Sequence, residues 1–261
     1  MPGNSAYYSA PLVNTLDRVI NADPASLTRR SLFGLTAGAA ATIAGTGAVA
    51  SASTESARDP RATELTAEQA WRTLAEGNAR FVSGHQRHPH ESLRWRESLV
   101  DGQHPFAVVL GCADSRVAPE LVFDEGLGDL FVIRAAGEVL DTSVVGSIEY
   151  AVEHLSVPLI VVLGHEKCGA VSATIDVVRG TGSVSGDIST LVRSVEPAVR
   201  ATPANPDAAA FLAACVAEQA RRTAAILQER SDIISGAVAE HGVQVVAATY
   251  ELTTGKVTRL G

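Results

Sequence analysis

An α/β fold with a mostly parallel central sheet flanked by helices is the class this sequence predicts, on three features. Phe106 to Leu110 is an unbroken apolar run, as expected of a strand covered on both faces, and Gly111 ends it. Pro158 to Leu163 repeats the pattern and ends at Gly164. Between them Val144, Ile148, Ala151, Val152 and Leu155 recur at helical spacing, as a crossover helix between parallel strands should. The carboxyl ends of both strands carry reactive groups: Cys112, Asp114 and Arg116 after the first, His165 and Cys168 after the second. Together they would face the crevice where open α/β sheets bind ligands.

Composition narrows the class of partner. With 261 residues, 46% of them hydrophobic and 19% charged, the chain can bury one sizeable core or one core plus an appended segment. A net charge of -8 and the lack of any run of Lys and Arg argue against nucleic acid as a partner. Three cysteines cannot make a fully paired disulfide framework, and two of them stand in glycine-bounded turns, which favours metal ligation.

In chain order, residues 1–52 read as an export signal with flanking segment, 53–65 as a linker and 66–261 as the functional domain. Arg29-Arg30 followed by an uncharged run to Ala50 resembles a twin-arginine signal, with small-x-small cleavage sites at Ala48-Val49-Ala50 and Ala50-Ser51-Ala52. The expected location is therefore periplasmic, cell-wall-associated or secreted. The apolar part is short and glycine-rich for a stable membrane span, so none is expected after cleavage.

Thr66-Ala-Glu-Gln69 has the pattern of a capping box, so a helix should follow as an N-terminal arm and stop near Gly84. Its expected packing stripe is Trp71, Leu74, Ala75, Phe81 and Val82, interrupted by Asn78. His85, His88 and His90 fall in a polar stretch and read as solvated. A short helix over Leu121–Phe123 should precede a strand at Leu130–Ile133. The crossover helix then runs from Asp141 to Leu155, with Thr142 and Ser143 as capping residues. A helical region from about Asp187 to His241 should be broken by Pro197, Pro203 and Pro206. Val243 to Thr249 reads as the last core strand, and Thr253-Thr-Gly255-Lys as a turn into a C-terminal edge strand.

Cys112, His165 and Cys168 supply two thiolates and an imidazole, a zinc ligand set that leaves a fourth tetrahedral position open. Cys215 lies within Phe211-Leu-Ala-Ala-Cys215-Val and reads as a packed helix face, not as a fourth ligand. Asp114 could ligate the metal or accept a hydrogen bond from its water. A guanidinium able to take both carboxylate oxygens, that of Arg116, would decide which.

These motifs, Cys112-Ala-Asp114-Ser-Arg116 and Gly164-His165-Glu-Lys-Cys168-Gly169, resemble the β-class carbonic anhydrases. So do Glu76-Gly-Asn78-Ala-Arg80-Phe81, Pro119-Glu-Leu-Val-Phe123 and Gly146-Ser-Ile-Glu-Tyr150-Ala. The resemblance covers most of Thr66 to Leu260. It implies one Zn2+ per chain on Cys112, His165 and Cys168, and reversible hydration of CO2 to bicarbonate by zinc-bound hydroxide. It also implies an Asp114–Arg116 catalytic pair, substrate contacts at Gln103 and Gly169, and a homodimer or higher homo-oligomer whose N-terminal helix embraces its partner. Two positions depart from the pattern: Ala113 stands where serine is common, and Glu138 where asparagine is common, placing a negative charge near the cleft. Two other readings stay open: hydrolysis of carbon disulfide or carbonyl sulfide on the same fold, and a noncatalytic zinc-stabilised binding protein.

Overall fold

The computed structural model describes residues 65–261; the proposed export signal and all but the last residue of the linker lie outside the described residues. Among the described residues five strands form one sheet in the order β2-β1-β3-β4-β5, with β1 Ala107–Gly111, β2 Leu130–Arg134, β3 Leu159–His165, β4 Gln244–Tyr250 and β5 Val257–Arg259. The first four are parallel, and only β5 pairs antiparallel, through the expected turn. The chain leaves β1 for β2 on one side and then crosses to β3 on the other. The carboxyl ends of β1 and β3 therefore flank a topological switch point, the usual place for a ligand. Both strands are buried along their whole length, which explains their unbroken apolar runs.

Alternate residues of the central strands serve opposite layers. Val108, Leu110, Ile160 and Val162 pack under α4 (Thr142–Leu155), α7 (Ala208–Arg230) and α8 (Asp232–His241). Ala107, Val109, Leu159, Val161 and Leu163 pack under α1 (Ala67–Ser83) and the segment through α3 (Pro119–Val122), with Phe123 fully buried. Such a side chain contributes about 1.5–3 kcal/mol by leaving water. Between α1 and β1 lies α2 (Leu93–Ser98). Between β3 and α7 lie α5 (Gly169–Val178) and α6 (Ile188–Ala201).

The first helix begins as expected. Thr66 Oγ1 accepts from the Gln69 N–H, the Gln69 side chain accepts from the Thr66 N–H, and Gly84 closes the helix at φ 71°. Its buried face differs from the predicted stripe: Ala67, Ala70, Leu74, Gly77 and Asn78 are buried, whereas Ala75 and Val82 are exposed. Gly77 is needed because a Cβ there would lie 1.7 Å from the Phe123 carbonyl oxygen. Asn78 is the tie rather than the interruption. Its Nδ2 donates to the Val122 and Gly255 carbonyls at 3.0 and 2.8 Å, and its Oδ1 accepts from Val257 N–H at 2.8 Å.

Three further expectations change. His90 is not simply solvated: its Nδ1 lies 2.7 Å from Asp129 Oδ2 and its ring stacks on Trp95 at 3.9 Å. The cap of α4 is Asp141, whose Oδ1 accepts from Val144 N–H, not Thr142 or Ser143. Pro197 lies inside α6 without ending it. Pro197 and Arg193 are both on the exposed side, where water can serve the Arg193 carbonyl that loses its helical donor.

Candidate metal centre

Cys112 follows the last residue of β1, His165 ends β3, and Cys168 immediately precedes α5. Because Gly111 pairs with Leu163 across the two strands, all three arrive at one edge of the sheet. Their ligand atoms, together with a carboxylate oxygen of Glu138, lie within 4.8 Å of one another, and all four residues are buried. Cys215 is also buried and packs in the apolar cluster with Cys112, Cys168, Val195 and Phe211, but it is not a member of this group.

His165 and Cys112 are each oriented by a backbone contact. His165 Nδ1 lies 2.9 Å from the Glu166 carbonyl, which can only accept. The proton is therefore on Nδ1, and the lone pair of Nε2 faces the cluster. The Gly137 N–H donates to Cys112 Sγ at 3.4 Å. Arg134, at the end of β2, donates from Nε to the Cys112 carbonyl and from a terminal nitrogen to the Asp114 carbonyl, pinning the backbone of the motif. The two thiols share a proton. A hydrogen bond from Cys168 holds the Cys112 thiol well below its ordinary range despite burial, and the N–H groups of Gly137 and Asp114 act in the same direction. Cys168 is raised by the same bond and by its own burial.

Arg116 grips Asp114 as its spacing suggested. Its Nε donates to Oδ1 at 2.9 Å, its terminal nitrogen to Oδ2 at 2.6 Å, and its backbone N–H to Oδ1 at 2.9 Å. The arginine holds the Asp114 carboxyl well below the usual range. Asp114 Oδ2 is still 3.9 Å from His165 Nε2, so the clamped carboxylate borders the cluster.

Glu138 is placed quite differently. It sits in a one-turn 3₁₀ segment, Ala136–Glu138, with a left-handed φ of 50°, a conformation costing a residue other than glycine about 1–3 kcal/mol. Gly137 before it also has positive φ, and a Cβ there would come within 3.1 Å of Ala170 and Val195. Gln219 Nε2 donates to the Gly137 carbonyl at 2.9 Å and fixes the turn. Glu138 is 1% exposed, and burial, then the neighbouring Cys112, raises its carboxyl well above the usual range.

The fit to a metal can be judged from what is unsatisfied. Glu138 Oε1 and His165 Nε2 are buried side-chain atoms without a hydrogen-bond partner. Each such acceptor costs about 1–3 kcal/mol, and two of them gathered with two sulfurs within 4.8 Å are the complement of a divalent cation. The donor set suits zinc.

The other expected site residues fall apart in one chain. Gly169 opens α5 beside Cys168, exposed, with open space where a Cβ would lie. Gln103 is exposed before the amino end of β1, at the opposite edge of the sheet from Cys112. Sequence reasoning missed Arg134 and Gln219. The one available signal was an arginine ending an apolar strand at the ligand edge.

A cluster of two cysteines and a histidine at the switch point of a parallel sheet, bordered by an arginine-clamped aspartate, is an α/β enzyme site whose donors could hold a metal ion. The family model described as carbonic anhydrase matches residues 107–257, and the chain belongs to that family of enzymes, whose general reaction is hydration of CO2. Carbonic anhydrase 2 of Mycobacterium tuberculosis is 46% identical over 187 residues, spanning 72% of this chain and 89% of the relative. The carbonic anhydrase of Mycolicibacterium smegmatis is 45% identical over 192 residues, spanning 72% and 90%. Among solved structures, a tetrameric β-carbonic anhydrase of Sordaria macrospora superposes with a TM-score of 0.59 at 24% identity, over 73% of this chain and 96% of that one, and so shares the fold.

Proposed function

We propose that the chain is a zinc enzyme interconverting CO2 and bicarbonate, with Cys112, His165 and Cys168 holding the metal and Asp114 and Arg116 serving the reaction. The observation that carries this reading is the buried cluster of two thiols and an imidazole, with Asp114 held at its border by three N–H groups of Arg116. Zinc, when bound, supplies a positive charge that lowers the pKa of a water to about 7. The residues do the rest. His165 presents a fixed lone pair, because its other nitrogen is committed to Glu166. Cys112 enters as a thiolate, supported by Gly137 N–H. Asp114 remains ionised and can accept a hydrogen bond from a group beside the cluster, which orients that group's lone pair away from the carboxylate. Arg116 keeps Asp114 from moving inward, since both of its oxygens are engaged.

A homodimer or larger assembly fits the exposed position of Gln103, which could reach a site only across an interface with a second copy. Export by the twin-arginine route is proposed on Arg29-Arg30 and the run to Ala50. A folded, zinc-loaded chain would then cross with Cys112 and Cys168 protected. Stopped-flow CO2 hydration by zinc-loaded protein, with sulfide release from carbonyl sulfide and carbon disulfide measured on the same sample, tests the reaction. Turnover of CO2 that is lost on chelation is the expected result; sulfide release without CO2 turnover would replace it.

A further inference from the structure

Glu138 is the one member of the buried cluster that the proposed reaction leaves without a task. Its carboxylate oxygen lies within 4.8 Å of Cys112 Sγ, His165 Nε2 and Cys168 Sγ, and its Oε1 has no donor. At 1% exposure bulk water cannot serve it. Asp114, the other carboxylate beside the cluster, is in the reverse position: its side chain is 17% exposed and both oxygens are taken by Arg116. Of the two, only Glu138 has an oxygen free to bind.

We propose that Glu138 is a fourth protein ligand of the metal, joining Cys112, His165 and Cys168 to close the shell in the resting enzyme. This rests on the zinc reading above. Zinc takes carboxylate oxygen beside sulfur and imidazole nitrogen, and a fourth protein ligand is what closes its tetrahedral shell. The turn that carries Glu138 is anchored at both ends of Gly137, by Cys112 Sγ and by Gln219, so the residue stays beside the ligands without any movement of a strand. The bond is a displaceable one. Two thiolates already balance the two charges of the ion, and a third anion is held only by what attraction remains. Its O–C–O group has the shape of the corresponding part of bicarbonate, so Glu138 acts as a tethered competitor that a small anion must displace.

A crystal structure of the zinc-loaded wild-type chain tests the proposal without any variant. A Glu138 oxygen about 2.0–2.2 Å from zinc is expected. Both oxygens beyond about 3 Å, with water or Asp114 in the fourth position, would overturn it. In solution, Glu138→Gln should bind zinc about tenfold or more weakly in chelator competition, since even outer contacts are worth 10–100-fold. Azide, followed by the visible spectrum of the cobalt-substituted protein, should bind the variant about tenfold or more tightly than wild type; equal azide affinity counts against the closed shell. Thermal melting establishes whether the variant folds, and if it does not, the wild-type structure decides alone. CO2 hydration by the same wild-type sample separates the two readings. A Glu138–zinc bond in a chain that does not hydrate CO2 sinks the proposed function and keeps this inference, turnover with an open shell does the opposite, and a chain that takes up no zinc overturns both.

Discussion

Two turns meet at the ligand edge of the sheet, Cys112–Arg116 after β1 and Ala136–Glu138 after β2, and each brings one carboxylate to the same cluster. Their chemistry diverges because their partners do. At Asp114 the hydrogen bonds from Arg116 outweigh a modest burial, and the group stays ionised. At Glu138 burial acts with nothing against it, the nearest charge is a thiolate, and the carboxyl is pushed toward its neutral form until a cation arrives. The type of side chain is the same in both. What separates them is one guanidinium, and whether water reaches the group.

Removing that guanidinium is the largest perturbation of the comparison. In Arg116→Ala, Asp114 loses the two side-chain donors that clamp it and becomes a second free carboxylate beside the metal. CO2 hydration should fall by about 10²–10³-fold while zinc content stays near one per chain, as stopped-flow rates and metal analysis on one sample would reveal. Near-normal turnover would mean that Arg116 does not hold Asp114 in its working position.

The other turn can be loosened from behind. Gln219→Ala removes the donor to the buried Gly137 carbonyl and a bond to Thr223 Oγ1 at 3.2 Å, and should cost about 1–3 kcal/mol in urea unfolding. The same variant should weaken zinc binding, because it frees the turn that supports Cys112 and Glu138. Unchanged stability would show that the turn is held by packing alone.

Glu125 sharpens the rule outside the site. Burial, then Asp129, pushes its carboxyl up to about 8, with Arg80 only partly opposing. Between about pH 4.5 and 8 the folded chain keeps a proton there that the unfolded chain has lost, so this group makes stability fall as pH rises through that window. Glu125→Gln should remove the slope: a melting temperature higher by about 2–4 °C at pH 9 and almost unchanged at pH 4. An equal shift at both pH values would point to packing, not titration.

The smallest effect is expected at Cys215. It is buried beside the ligand cysteines but outside their reach, so Cys215→Ala should keep one zinc and nearly full activity, with about 1 kcal/mol lost at most. Loss of zinc would show that a third cysteine holds the metal.

Much of the fold was legible because its signals are local. Two-sided burial leaves apolar runs at β1 and β3, the Thr66–Gln69 pair marks a helix start within four residues, and a glycine stands just before Cys112 and just before His165. The ligands and the Asp114–Arg116 clamp were legible for the same reason, since each motif spans only a few residues. What failed were readings that depended on distant partners. Asn78 looked like a flaw in an apolar stripe because the carbonyls that satisfy it lie 44 and 177 residues away. His90 looked solvated because Asp129 lies 39 residues further on.

By itself, then, the sequence determined the class of fold, the three candidate metal ligands, and the aspartate and arginine beside them. Periodicity, caps and short motifs act within a few residues and need no knowledge of sheet order. Only the tertiary structure decided that Glu138 lies inside the cluster and Gln103 at the far edge of the sheet. It also decided that Arg134 and Gln219 brace the turns. Those facts follow from placing β1 between β2 and β3, which brings the carboxyl ends of three strands together and sends their amino ends to the other side.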